Sequence, residues 1–297
     1  MDDTKAGMAA MTMVRGDHFF LQRWVDYYGR HLGREHLYVL THGQDPEIHR
    51  IAEGANVIYL PFDPTRYCFN QRRWQMLSQF TSGFTRYYNW VLCGDVDEIV
   101  AVDPDVADNL GDYVMRFGQD RPPRIITPFA IEIVHNPTAE PEPLTPGRNI
   151  LEVRRHYRTN VNYCKPCITR NRVTFSPGGH YANEKEGFLD PHLYLFHLRF
   201  VDYQMTHDRL ALRREQRTQQ SGALGEVTRK VTGWDTAWTT FEGLSKRKPK
   251  AETIDHAEMR AAMTKGRHVR ADNVFWTFGG ARSYDVYKLP ERFATVF

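Results

Sequence analysis

Long apolar runs, cysteine and net charge are all scarce in this sequence of 297 residues, and each scarcity excludes something. No stretch approaches the ~18 consecutive apolar residues of a membrane-spanning helix, so none is expected. Four cysteines are too few for a disulfide scaffold, which makes a reducing cytoplasm the expected compartment. The opening Met1-Asp2-Asp3-Thr4-Lys5 lacks the basic start and apolar stretch of a secretory signal. Lys+Arg 39 against Asp+Glu 36 leaves a net charge of only +3, so a dedicated nucleic-acid binder is not expected. A G-x-x-x-x-G-K-[ST] phosphate loop, internal repeats and low-complexity segments are also missing. What is there is a 41% hydrophobic chain, ample for a buried core, with an aromatic content of 13% and 13 histidines.

The first two hundred residues alternate in period. Met8 to Val14 reads as a strand, and Phe20, Trp24, Tyr28 and Leu32 then recur every four residues, as an amphipathic helix does, with Asp17 where an N-cap belongs. Leu37 to Thr41 reads as a strand, Pro46 to Glu53 as a short helix, Val57 to Leu60 as a strand and Phe69 to Arg86 as a helix burying Trp74, Leu77 and Phe80. Tyr88 to Cys93 is a strand that runs straight into Gly94-Asp95-Val96-Asp97-Glu98. Strands and helices in this order predict an α/β fold, a mostly parallel central sheet flanked by helices. Ligands bind such sheets outside the carboxyl ends of the strands, where Arg15 to Asp17 and Asp95 to Glu98 both fall.

Further on, the spacing predicts a helix over Asp108 to Phe117 and strands over Arg124 to Pro128, Ile150 to Tyr157, Cys167 to Arg170 and His192 to Phe200, with a proline-rich loop over residues 136–147. From Tyr203 the chain turns helical and basic, residues 205–270 holding 14 Lys+Arg against 8 Asp+Glu. The expected organisation is a core over residues 1–204 and a basic, mainly helical C-terminal extension over residues 205–297. That extension reads as a solvated face, as a peripheral contact with the inner face of an anionic membrane, or as a surface for an acidic glycan. Cys164-Lys165-Pro166-Cys167 has the spacing of a redox motif, but a strand-like sequence follows it where that motif opens a helix.

Asp95 and Asp97 stand two apart in an extended stretch, which turns both side chains to one side, roughly 6–7 Å apart at Cα. Two carboxylates pressed together repel unless a cation neutralises them. Hard oxygen ligands suit Mg2+ or Mn2+, which share such sites with phosphate oxygens.

The run Trp90-Val91-Leu92-Cys93-Gly94-Asp95-Val96-Asp97-Glu98 resembles the W-x-x-x-x-D-V-D-E-F stretch of family 2-like and family 92-like glycosyltransferases, with Ile99 in place of Phe. Met13 to Asp17 with Phe20 to Trp24 resembles that family's V-R/K-N-E…L-x-E-W opening, Gly16 and Asp17 standing for Asn and Glu. Lys165 with Ile168, Gly179-His180-Tyr181 and His197-Leu198-Arg199-Phe200 resemble its K-x-I, H-Y and H-x-R-F signatures in the same order, the first with one extra residue. The resemblance covers roughly residues 8–205. It implies a GT-A fold and a metal-dependent transferase that moves a sugar from a nucleotide-diphosphate donor to a glycan, polysaccharide or lipid-linked acceptor. The alternative is a binding protein that keeps the fold without turnover.

By the same resemblance, Asp97 ligates Mn2+ or Mg2+, and Asp95 faces the metal through water or the donor ribose. Arg15, Asp17 and Gln71 lie toward the nucleotide, Lys165 and His180 toward the phosphates or acceptor, and His197 toward the metal or pyrophosphate. Tyr157, Tyr163, Tyr181 and Tyr194 face the acceptor, whereas Trp24, Tyr28, Trp74 and Trp90 belong to the core. The family's inverting chemistry requires a general base, for which Asp190, Glu132 and Glu184 are the candidates, Asp190 first.

Overall fold

The computed structural model describes residues 2, 4–63, 68–118, 122–212, 236–280 and 283–297. The chain separates into two compact units: Met1–Ala130 with Asn160–Phe196 and His256–Arg282, and Ile131–Thr159 with His197–Asp255 and Ser283–Phe297. Among the described residues no helix is long and apolar enough to cross a membrane. Residues 213–235, within the basic segment, lie outside the described residues.

The first unit is built on a mixed sheet. Strand β1 (Ala6–Val14) pairs in parallel with β2 (Leu37–His42) on one side and β4 (Tyr88–Cys93) on the other, and β2 carries β3 (Asn56–Leu60) in parallel. Helices α1 (His18–Leu32), α2 (Pro46–Ile51) and α3 (Phe69–Phe84) make the connections. α1 buries Phe20, Trp24 and Tyr28 as the four-residue period requires, together with Leu21, Val25 and Tyr27. Asp45 caps α2, its side chain accepting from the Glu47 and Ile48 N–H groups while Pro46 takes the first turn, where no N–H is needed. α3 lays Trp74 and Leu77 onto a core that includes Met11, Met13, Leu40 and Cys93.

The other half departs from a mostly parallel sheet. β8 (Ile168–Thr169) runs antiparallel to β4 and to β6 (Ile125–Val134), because it is entered from an irregular loop and not by a helical crossover. β5 (Glu98–Val102), fully buried, pairs with β9 (Gly187–Phe200). The Tyr28 hydroxyl of α1 accepts the Val100 N–H at 2.8 Å, which ties β5 to α1 directly behind the acidic loop.

Two sequence expectations are corrected. β6 continues through Pro128 to Val134, because Ile125 and Ile126 pair with β8 and Ile131 to Ile133 with β7 (His156–Thr159), and the proline falls between those two ladders. Ile150 to Tyr157 is not one strand. Ile150–Val153 form a short helix, α5 after α4 (Leu110–Met115), and only His156 onward is extended. The residues 136–147 form an irregular loop, as their prolines require.

In the second unit β7 pairs with β6 and with β12 (Tyr287–Lys288). Val134, Phe200, Phe241 and Leu244 form its apolar centre, Phe200 stacking on Phe241 at 5.0 Å. Arg154 is 1% exposed and is satisfied by the Val201 and Glu142 carbonyls at 2.9 and 2.8 Å. The basic run Lys246 to Lys250 follows α6 (Ala237–Ser245) as irregular, largely exposed chain, with Lys250 paired to Asp285 at 2.8 Å.

Candidate active site

The first unit gathers charge at the carboxyl ends of β1 and β4. Asp95, one residue beyond β4's glycine, accepts a hydrogen bond from Arg73 through Oδ1 at 2.6 Å and from Lys165 through Oδ2 at 2.7 Å. Lys165 also meets Glu98 Oε1 at 2.7 Å. Arg73 reaches back to the Met13 carbonyl of β1 at 3.4 Å, so one guanidinium spans the ends of both strands. Lys165 and Glu98 are each 2% exposed, so their pair is sheltered from solvent screening, whereas the Asp95 and Arg73 side chains are 24% and 15% exposed and their pair is partly open. The aromatic rings of Trp74 and Tyr163 flank the Lys165 ammonium, each at 5.6 Å.

Burial favours the neutral form of Asp95, but Lys165 and Arg73 outweigh it and hold the carboxyl well below its usual range. For Lys165, burial is likewise overcome by Asp95 and Glu98, which keep the ammonium protonated. Burial pushes the Glu98 carboxyl up to about 8, Lys165 opposing and Asp95 and Asp97 reinforcing the rise. Asp95 thus takes both cations, Glu98 shares only Lys165 with it, and Asp97 adds a third acidic charge nearby, which leaves Glu98 under-neutralised. Its Oε2 is buried without a hydrogen-bond partner among the described residues.

That surplus bears on a divalent cation. The donors are hard oxygens, one of them orphaned, and the buried Gly94 beside them has open space where a Cβ would stand. These residues fit Mg2+ or Mn2+ provided that Asp95 exchanges a protein cation for the metal. Among the described residues no three His, Cys, Asp or Glu side chains form a ready-made metal cage.

The remaining sequence candidates are distributed as follows. Arg15 is exposed and lies over the Phe62 ring at 3.7 Å. Asp17 occupies the N-cap position just ahead of α1, as expected, but its side chain makes no cap; its carbonyl accepts from the Phe20 and Leu21 N–H groups, both at 3.0 Å. Gly16 and Asp17 both take left-handed backbone, with φ of 61° and 49°. Gln71 is exposed on α3; Arg73, two residues on and absent from the sequence expectation, is the α3 residue at Asp95. The signal for Arg73 was its place beside Trp74 and one turn before Leu77, on the buried side of the helix.

His180 follows Gly178 and Gly179, and its Nδ1 donates to the Asn162 carbonyl at 2.8 Å, which makes Nε2 the acceptor of the neutral ring. His197 belongs to the second unit, where its Nδ1 lies 3.1 Å from Glu132. Glu132 is fully buried there between Arg158 at 2.5 Å and Arg199 at 2.8 Å, and those guanidiniums overcome burial to hold its carboxyl well below the usual range, a poor proton acceptor.

Asp190 is also fully buried, and it lies inside β9 and not ahead of it. Its oxygens accept from the Tyr113 hydroxyl at 3.1 Å and from the His192 and Leu193 N–H groups at 2.7 and 2.8 Å. Burial raises its pKa against those bonds, and the whole arrangement is that of a structural turn. Glu184, with a side chain 16% exposed, lines a cleft with His180. Tyr157 and Tyr194 are buried, whereas Tyr163 and Tyr181 are half-buried. The cysteines of the C-x-P-C run are free thiols, and burial pushes Cys164 up to about 12, so neither carries redox chemistry as it stands.

No protein-family model matches the chain, and no curated protein matches it. Among solved structures, the mannose-1-phosphate geranyltransferase from Thermus thermophilus is similar to 78% of this chain over 67% of its own, at 9% identity and a TM-score of 0.27. An overlap that loose carries no argument about the site.

Proposed function

We propose that this protein is a metal-dependent glycosyltransferase, moving a sugar from a nucleotide-diphosphate donor to a glycan or lipid-linked glycan acceptor with inversion at the anomeric carbon. The observation that carries the reading is the cluster of buried Asp97, Glu98 and Lys165 with half-buried Asp95 and Arg73 at the carboxyl ends of two parallel strands. Asp97 and Asp95 would hold Mn2+ or Mg2+, which supplies Lewis-acid stabilisation of the departing diphosphate. Lys165 and Arg73 each carry a charge that can pass from Asp95 to a diphosphate oxygen, Lys165 as a point charge and Arg73 through its planar fork. The acceptor hydroxyl attacks the anomeric carbon, the bond to the diphosphate breaks with its electron pair, and the hydroxyl proton passes to a base. Glu184 suits that task better than Asp190 or Glu132, because it is partly open and its guanidinium neighbour, Arg124, stands 3.9 Å away on an exposed side chain. Glu132, by contrast, lies between two close guanidiniums, and Asp190 is held by a tyrosine hydroxyl and two N–H groups.

Replacing Asp97 by Ala is expected to cut transfer from a nucleotide sugar by the equivalent of about 2–4 kcal/mol, the scale of a lost transition-state stabiliser. Donor hydrolysis and transfer, measured with Mn2+ and with excess chelator, provide the check; full turnover in the variant or in chelator refutes the reading. One observation favours a binding protein without turnover: both oxygens of Asp95 are engaged by protein cations. Calorimetry with nucleotide diphosphates and Mn2+, followed by the turnover assay, separates the two, since a binding protein gives heat and no product.

A further inference from the structure

The last stretch of the first unit forms a hairpin whose tip stands outside the core. Strand β10 (His268–Val269) follows α7 (Ala257–Lys265) and pairs antiparallel with β11 (Trp276–Thr277), Val269 opposite Trp276. Trp276 bridges to Ala182 and Ala182 to Phe175, so these four residues line up across three antiparallel contacts. Ala182 and Phe175 are buried, and residues directly opposite in antiparallel pairs share a face. Their chain neighbours Tyr181, Phe275 and Arg270 therefore turn to the other face. There the Arg270 guanidinium lies 4.0 Å from the centre of the Tyr181 ring.

The tip is closed so that it presents carbon. The Asn273 N–H donates to the Arg270 carbonyl at 2.9 Å, and the Arg270 N–H to the Phe275 carbonyl at 2.8 Å. Asp272 Oδ1 accepts from the Val274 and Phe275 N–H groups at 2.9 and 3.0 Å. Val274 is thus 50% exposed while its own N–H and those on either side are satisfied. An apolar side chain so placed can enter a bilayer interface without taking an unpaired N–H with it, which is the costly part of such a transfer. Beside it Phe275 and Trp276 are half-buried aromatics, the side chains that settle at lipid headgroups.

The charge around the tip is of one sign. Residues 265–278 carry Lys265, Arg267 and Arg270 against Asp272 alone. Arg267 is turned onto the Glu184 and Lys185 carbonyls at 2.8 and 3.2 Å, whereas Lys265 and Lys185 are exposed. The neighbouring carboxylates already face cations: Glu184 and Glu186 lie 3.9 and 3.6 Å from Arg124, and Asp272 lies 3.9 Å from Arg270. A stable protein partner requires about 800 Å2 from each side, far more than one short turn presents. A bilayer requires only an apolar tip among cations.

We propose that this hairpin is a membrane contact, Val274 and Phe275 entering the headgroup region of an anionic bilayer with Arg270, Lys265 and Lys185 against its phosphates. The strand of Tyr181 and Ala182 leaves the turn that seats Gly179 on Trp74, one of the two rings over Lys165. The contact therefore ties the bilayer to the element that covers the charged cluster. Among the acceptors of the glycosyltransferase reading, on which this step alone rests, it selects the lipid-linked one.

Co-sedimentation of the full chain with vesicles is the test. Vesicles of equal parts phosphatidylglycerol and phosphatidylcholine are expected to carry the protein down, and phosphatidylcholine alone to leave it in solution. Added salt should release it, because so small an apolar contact holds only with help from charge. Val274→Glu should weaken binding about tenfold or more and Arg270→Gln about fivefold, whereas Val274→Trp should strengthen it. Both Val274 variants should keep the melting temperature of the unaltered protein, and the gain with Trp separates a lost contact from a lost fold. The proposal is overturned if anionic vesicles do not bind the unaltered protein, if neutral vesicles bind it equally, or if Val274→Glu binds undiminished. It is also overturned if the tip instead drives a lipid-free self-association that Val274→Glu abolishes. Vesicle binding without turnover of any nucleotide sugar supports the contact and sinks the proposed activity; turnover without vesicle binding does the reverse.

Discussion

Lys165 is the residue on which the site's electrostatics turn. It is 2% exposed and holds two carboxylates, and no other cation reaches Glu98 among the ion pairs described. Removing one partner of a buried pair leaves an uncompensated charge, at a cost of about 3–5 kcal/mol, whereas removing both partners is often near neutral. Lys165→Met is therefore expected to lower stability by about 3 kcal/mol in denaturant unfolding. Adding Glu98→Gln should restore a large part of that loss, and strictly additive effects would show that the two residues are not coupled as the structure has them. Asp95 and Lys165 were legible from the sequence because each stands in a motif. Arg73 was passed over, because a charged residue inside an amphipathic helix ordinarily faces solvent, and its place on the Trp74 and Leu77 side shows only which way it turns and not that it meets Asp95. The surroundings of Glu132 and Asp190 were not legible, for a related reason. A carboxylate's partners, here two guanidiniums and a tyrosine hydroxyl, come from distant parts of the chain.

At the level of elements, the parallel half was legible almost residue for residue, since apolar period and glycine or proline punctuation agree there. The rest was not, because short segments fit both periods. Ile150-Leu151-Glu152-Val153 reads equally well as strand or as one helical turn, and the Ile150 N–H bonding the Phe297 carbonyl at 2.7 Å is a constraint from the far end of the chain. The turn before His180 is the element most exposed to a single change. Gly179 has φ of 69°, and a Cβ there would stand 2.3 Å from the Trp74 ring. Gly179→Ala combines left-handed strain of about 1–3 kcal/mol with a clash against one of the two rings over Lys165. Its melting temperature should fall, and its tryptophan fluorescence should shift as Trp74 is displaced; an unchanged spectrum and Tm would contradict this packing.

For the whole molecule, the salient fact is that each unit is assembled from three separate stretches of chain. The last forty-two residues contribute to both. Residues within 256–282 supply Arg260 to the Asp190 carbonyl, Arg267 to the Glu184 carbonyl and Trp276 to the Ala182 carbonyl in the first unit. In the second, residues within 283–297 supply β12 and the Phe297 carbonyl. A chain ended at Asp255 would leave those groups unpaired and its apolar contacts open. It is expected to lose the cooperative thermal transition of the full chain and to bind an apolar dye. A sharp transition at the original Tm would show that the closing segments are dispensable. Composition could not reveal this interleaving, since the basic tail reads the same whether it stands apart or returns to the core.

The pairing of Asp95 and Glu98 with Lys165 and Arg73 has a consequence at long range. Beyond a Debye length of about 8 Å at physiological salt, opposite charges held within 3 Å of one another nearly cancel. An acidic loop without those partners would surround itself with a negative potential and repel any anion before contact. Here two of the three acidic charges are offset at close range, so that far field is reduced to about that of a single carboxylate. A diphosphate meets much less repulsion on approach than three bare carboxylates would give, and its recognition is deferred to the last few ångströms, where individual atoms are felt.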